Sequence, residues 1–264
     1  MKRFHALIAF VGAAATLGLA GCMARNVEVS RALARETESF SRWPADPTGR
    51  VLIVGDSTAA GTGASAPERS LAGQLAAREP TLAIDNLGVV GARLADIPGQ
   101  LMRAPARRYD AVVVLAGGND MIRFTSRRSL RESLDAIARR AAAMAPLVVL
   151  MPAGNVGNAP FFLPPVSWLV TQRARMVHEE VSEAAAKYGL SYVDLYKNRS
   201  DDPFAREPER LNAADGLHPS DDGYALWLNE LFAQSPLSSA LHPADRQSRY
   251  ERVERAWEAL LASG

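Results

Sequence analysis

The sequence predicts a single α/β domain built as a three-layer α/β/α sandwich, and three observations predict it. Five short apolar runs recur along the chain, and stretches with helical spacing lie between them. The 264 residues, 48% hydrophobic and 22% charged, are enough to bury one sizeable core and exclude a disordered or fibrous chain.

The runs are 51–54, 82–85, 111–115, 147–151 and 191–195. Each is too short for a helix and apolar almost throughout, the pattern of parallel strands covered on both faces. The intervening stretches 70–78, 129–144 and 170–188 carry helical spacing, so strand and helix alternate as a layered sheet requires. A further helical stretch follows at 221–232, and 244–262 predicts a terminal amphipathic helix with Tyr250, Val253, Trp257 and Leu260 on one stripe.

The N-terminus predicts export. Lys2 and Arg3 precede an uncharged, Ala-rich stretch at 6–20, which is short for a membrane span of ~20 residues. Leu19, Ala20, Gly21 and Cys22 resemble the bacterial lipobox, and Cys22 is the one cysteine of the chain. The resemblance implies cleavage before Cys22 and acylation of its thiol and amine, enough acyl chains for stable anchoring. Met23 follows in place of Asp, which by the rules of that class favours the outer membrane. The expected organisation is a lipoprotein signal peptide at 1–21, a lipidated N-terminus and tether at 22–49, a catalytic domain at 50–236 and a C-terminal helical extension at 237–264. The polar stretch 23–49, broken at Trp43, Pro44, Asp46 and Pro47, reads either as a tether or as a packed N-terminal arm.

Charge excludes one class of partner. The 30 Lys and Arg against 29 Asp and Glu become 28 against 29 once Lys2 and Arg3 are removed, a near-neutral balance with no electrostatic footprint for nucleic acid.

The chemistry-bearing residues fall at the ends of the predicted strands. The first strand runs into Gly55, Asp56, Ser57 and Thr58, where open α/β sheets place their ligands. The second runs into Asn86, Leu87, Gly88, Val89, Val90 and Gly91, and the third into Gly117, Gly118, Asn119 and Asp120. An asparagine there can aim its amide at developing negative charge. Near the C-terminus, Asp215 and His218 share one loop in the run Asp215 to Ser220. A nucleophilic hydroxyl needs a base, and the imidazolium that forms needs a carboxylate; Ser57, His218 and Asp215 supply those roles. Taken singly, each block also reads as an ordinary strand exit or turn.

Other chemistries fit poorly. Gly61 and Gly63 lack the lysine of a phosphate loop and the third glycine of a dinucleotide loop. No HExxH motif or pair of histidines at ligand spacing is present, so neither a metal nor another cofactor is expected. His178 and His242 read as surface or packing histidines, and His5 leaves with the signal peptide. A general α/β-hydrolase would place its nucleophile mid-chain in GxSxG, whereas Ala59 stands where that motif wants glycine.

Together the four blocks, GDS, NxGxxG, GGND and DGLHP, resemble the SGNH (GDSL-type) hydrolase family over about residues 51–232. The family letters match Ser57, Gly91, Asn119 and His218, with Thr58 standing where the family name has Leu. The resemblance implies a flavodoxin-like five-stranded parallel sheet and carboxylic ester hydrolysis through an acyl-enzyme. It implies an oxyanion hole from the Ser57 and Gly91 backbone N–H groups and the Asn119 amide, with Gly88 as the fallback for Gly91. Two other readings remain open: a polysaccharide or peptidoglycan O-deacetylase with the same mechanism, and a non-catalytic envelope-binding lipoprotein on the same fold. The apolar stretch after the fourth strand, with Phe161, Phe162 and Trp168, is a candidate substrate pocket or a segment that packs on the core or meets a membrane. The expected partners are a small or lipid-like ester and the membrane reached through the lipid.

Overall fold

The computed structural model of the protein describes residues 24–241. The expected signal peptide, Cys22, His242 and the helix expected at 244–262 lie outside the described residues.

Helix α1 covers 24–36. The elements that follow are β1 (Gly49–Gly55), α2 (Ser57–Ala60), α3 (Leu71–Arg78), β2 (Leu82–Asn86), α4 (Ile97–Met102), β3 (Ala111–Leu115), α5 (Gly118–Ile122) and α6 (Arg127–Ala142). The chain continues through β4 (Leu147–Leu150), α7 (Val166–Tyr188), β5 (Ser191–Tyr192), α8 (Pro203–Arg206), α9 (Pro208–Leu211), α10 (Asp221–Gln234) and α11 (Leu237–Leu241).

All five strands are parallel, in the order β2-β1-β3-β4-β5. This is the doubly wound, flavodoxin-like order. The central strands are buried on both faces, so their alternating side chains feed two cores. Val51, Ile53, Val113 and Val149 meet α3, α10 and α11 on one side. Leu52, Val54, Val112, Val114, Val148 and Leu150 meet α4, α6 and α7 on the other. Three layers result, as the alternation of strands and helices predicts.

Element boundaries follow local chemistry. Helix α6 begins at Arg127 because Ser126 caps it, its hydroxyl accepting the Ser129 N–H at 3.2 Å. The fifth strand is shorter than the apolar run 191–195, pairing with β4 only through Ser191 and Tyr192. Its partner strand ends at Leu150, two residues before Pro152, which has no N–H to continue a ladder.

The structure bears on two of the expected segments. Residues 24–49 take the second of the two forms expected, a packed arm: Arg42 forms an antiparallel bridge with Ile84 through bonds of 2.9 and 2.8 Å at the β2 edge. The Arg42 Nη2 lies 2.8 Å from each of the carbonyls of Ala76, Glu79 and Pro80 at the end of α3, its two hydrogens shared among them. At the other end, Leu237, Ala240 and Leu241 of α11 are buried in the first core, so the domain continues through the point at which an extension was expected to begin.

Candidate active site

The carboxyl ends of β1, β2 and β3 and the loop before α10 converge on one cavity of about 260 Å³. Ser57, Gly91, Asn119 and His218 all line it.

Ser57 opens α2, a single helical turn that starts as soon as β1 ends. As the first residue of a helix, its backbone N–H has no intrahelical acceptor. Asp56 caps the turn, Oδ1 accepting the Thr58 N–H at 2.9 Å and the Thr58 hydroxyl at 2.7 Å. Thr58 thus has a packing partner of its own in the turn that carries the serine. Burial raises the Asp56 carboxyl above its ordinary range, against the pull of these two bonds and of nearby His218.

The second segment separates its two glycines by task. At Gly88 the N–H donates to Asn86 Oδ1 at 3.0 Å, and a Cβ there would lie 2.5 Å from the Ala60 nitrogen. Its role is close packing behind the serine turn, with its donor already used. Gly91, with φ of +81°, lines the cavity. Asn86 also donates from Nδ2 to the Ala59 carbonyl at 2.7 Å, clamping α2 from below.

Asn119 is the second residue of α5, just past the end of β3. Its neighbour Asp120 points away from the cavity and accepts the Leu94 N–H at 2.9 Å, joining the segments after β2 and β3. Burial raises the Asp120 carboxyl, opposed by the bond from Leu94.

The fourth segment places two groups in line with Ser57. His218 Nε2 lies 2.9 Å from Ser57 Oγ, and His218 Nδ1 lies 2.6 Å from Asp215 Oδ2. Asp215 Oδ1 accepts the N–H groups of Leu217 at 3.0 Å and His218 at 3.1 Å. Burial alone would raise the Asp215 carboxyl; the bond and charge of His218 and the two N–H donors outweigh it and hold the carboxyl below its ordinary range. The backbone keeps this loop in place, with Ala213 N–H to His218 O at 2.8 Å and Phe161 N–H to Gly216 O at 3.0 Å. The arrangement can pass a proton from Ser57 to His218 while a carboxylate fixes the imidazole.

Three candidates lie elsewhere. Phe161, Phe162 and Trp168 do not line this cavity. Phe162 is buried and packs edge-on against Phe161 at 4.9 Å, while Trp168 on α7 faces solvent, 65% exposed. The cavity wall after β4 is built instead from Ala153, Gly154, Asn155, Val156 and Ala159. His178 is a buried packing histidine and not a surface one: Nδ1 is 2.6 Å from the Tyr192 hydroxyl and Nε2 is 2.8 Å from the Ala153 carbonyl.

Sequence reasoning also passed over two positioning residues. Buried Gln100 exchanges two 2.8 Å hydrogen bonds with the backbone of Gly55, fixing the strand end before the serine. Tyr224 donates to the Thr62 carbonyl at 2.7 Å and ties α10 to the segment after α2. Tyr224 has no sequence signal beyond lying in a helical stretch, and Gln100 falls between the predicted elements. Helix α1 contributes Ser30, Arg31 and Ala34 to the cavity wall. Among the described residues, no group of His, Cys, Asp or Glu side chains could hold a metal ion.

The model of the GDSL-like lipase/acylhydrolase family matches residues 53–226. No curated protein matches the chain. Among solved structures, an α/β-hydrolase enzyme from the metagenome of Lake Arreo, Spain, is similar with a TM-score of 0.57 and 19% identity, over 74% of this chain and 97% of that one. A lipase/acylhydrolase from Enterococcus faecalis is similar with a TM-score of 0.54 and 23% identity, over 70% and 94%. An acetylxylan esterase from Geobacillus stearothermophilus is similar with a TM-score of 0.53 and 18% identity, over 71% and 94%. At these identities the likeness is one of fold.

Proposed function

The chain belongs to the GDSL-like lipase/acylhydrolase family, and from that premise we propose that it hydrolyses carboxylic esters through an acyl-enzyme formed on Ser57. The observation that carries this reading is the unbroken line of hydrogen bonds Ser57 Oγ to His218 Nε2, 2.9 Å, and His218 Nδ1 to Asp215 Oδ2, 2.6 Å.

In this mechanism Ser57 Oγ attacks the ester carbonyl as its proton moves to His218 Nε2. Asp215 holds the Nδ1–H tautomer and offsets the charge of the imidazolium. The carbonyl oxygen, now negative, is met by the N–H groups of Ser57 and Gly91 and the Asn119 amide. His218 returns the proton to the departing alkoxide, which leaves as the alcohol. A water, deprotonated by the same imidazole, then attacks the acyl-Ser57 carbonyl and releases the acid.

A substrate panel tests the reading. Aryl acetates, longer aryl esters and acetylated xylan should include at least one ester turned over by wild type, with Ser57→Ala at background on all. A Ser57→Ala protein that kept wild-type turnover would contradict it. Preference for acetylated glycan over the aryl esters would select the O-deacetylase form of the same chemistry.

We also propose that the protein is exported and carries lipid at Cys22, from the lipobox reading of Leu19 to Cys22. Radioactive palmitate should label the wild type and not Cys22→Ser; equal labelling would overturn the anchor.

A further inference from the structure

Of the eight large hydrophobic side chains exposed among the described residues, six belong to the segments that follow β2, β3 and β4: Val89, Val90, Phe124, Val166, Trp168 and Leu169. These segments leave the carboxyl edge at which the cavity opens. Single exposed apolar residues need no explanation, but a cluster gathered round one opening does.

The cluster is continuous with the cavity. Val90 and Ile122 line it. A Cβ on the adjoining Gly91 would sit 3.6 Å from Arg123 Nη2, which brings the second and third segments together. The Arg173 guanidinium lies 5.4 Å from the Phe124 ring centroid and donates to the Thr125 carbonyl, which brings in α7, where Leu169 is one turn before Arg173. Phe124 has φ of +55°, a left-handed conformation that a bulky side chain adopts only under constraint, and its ring is nonetheless half exposed.

Charge indicates what covers this crown. Segments 87–96, 116–126 and 151–173 contain Arg93, Arg123 and Arg173 against Asp96 and Asp120, and Asp120 is buried. Apolar and aromatic side chains flanked by the exposed Arg93 and Arg123 complement the boundary layer of an anionic bilayer. The N-terminus favours the same placement. Seven residues lie between Cys22 and Ser30 in the cavity wall, most of them in α1, so the lipid proposed on Cys22 would hold this edge near the membrane.

We propose that the crown docks on an anionic lipid surface, so that the esters reaching Ser57 enter from that surface. The substrate half of this proposal rests on the ester-hydrolase reading; the docking half rests on the crown.

The test uses the full-length protein and vesicles carrying doxyl-labelled phosphatidylcholine. The emission of Trp168, isolated as the difference between wild type and Trp168→Phe, should be quenched when the vesicles contain phosphatidylglycerol, and less so in phosphatidylcholine alone. The double variant Phe124→Asn, Trp168→Ser should turn over a vesicle-dissolved ester about ten-fold or more slowly than wild type. Its turnover of a soluble aryl acetate should stay at the wild-type level, because neither residue lines the cavity. Asparagine tolerates the φ of Phe124, so the variant should remain folded. An unquenched Trp168, equal quenching in the two lipids, or unchanged turnover of the vesicle-held ester would overturn the proposal. So would sedimentation showing that the double variant breaks a dimer while the vesicle results stay as in wild type, since the crown would then seat a second copy. Loss of soluble ester hydrolysis in wild type would strike the ester-hydrolase reading and leave the quenching result standing.

Discussion

At the residue scale, the division of labour within NLGVVG separates what a motif shows from what geometry adds. The spacing points to two glycines, and only the structure distinguishes them: the Gly88 donor is consumed by Asn86, whereas Gly91 faces the cavity. Ser57, Asp215 and His218 were legible because their chemistry requires those side-chain types. Gln100 and Tyr224 were not, because a buried amide or phenol that bonds backbone has no sequence pattern. Phe161, Phe162 and Trp168 were misplaced for a related reason: an apolar run after a strand does not say which side chains turn inward. The role proposed for Asn119 yields a prediction. An amide that strengthens its bond only as the oxyanion forms should be missed in kcat and not in KM. Asn119→Ala should lower kcat about a hundred-fold or more, with KM and melting temperature near wild type. Steady-state kinetics on a soluble aryl ester checks this, and full kcat in a folded variant would remove the amide from the proposed hole.

At the element scale, the strands and helices were legible because period and length are carried by the side chains themselves. Their ends were less so, since caps such as Ser126 and a shortened partner strand act through single contacts. Asp120 shows such a contact joining two site segments. Its Oδ2 accepts the Leu94 N–H. Burial raises this carboxyl in the folded protein. A raised folded pKa means that Asp120 contributes fully below the unfolded carboxyl value near 4, and that this contribution is lost as pH rises through the folded value. Asp120→Asn keeps an acceptor for Leu94 and never ionises. It should therefore melt above wild type at pH 8, and the gap should close towards pH 4. Calorimetry across that range decides the matter; a variant less stable than wild type at pH 8 would show that the charged form is the one the fold favours. Asp215 has the opposite sign. Its depressed carboxyl contributes above the unfolded value and loses that contribution as pH falls through the folded one, so it opposes Asp120 only in acid.

At the scale of the whole molecule, the three-layer architecture was legible almost entirely, because five apolar runs and the helices between them leave few ways to cover a parallel sheet. The arm at 24–49 was legible only as one of two alternatives. It is polar and broken by Pro44 and Pro47, which fits a tether or a packed arm equally, and its order comes from long-range contacts: Arg42 with the β2 edge and the end of α3, and α1 with the cavity. That arm brings Ser30, Arg31 and Ala34 of α1 into the cavity wall, which no local pattern could reveal. The helix expected at 244–262 lies beyond the described residues, so the described fold closes with α11.

The central claim is that Ser57 carries the acyl group. The most direct measurement is mass spectrometry of the protein quenched in acid during turnover of an aryl acetate, followed by peptide mapping. An acetyl group on the peptide containing Ser57, absent in Ser57→Ala and accumulating in a burst before steady state, is the predicted result. Turnover with no acyl adduct at any time, or an adduct on another residue that persists in Ser57→Ala, would contradict it.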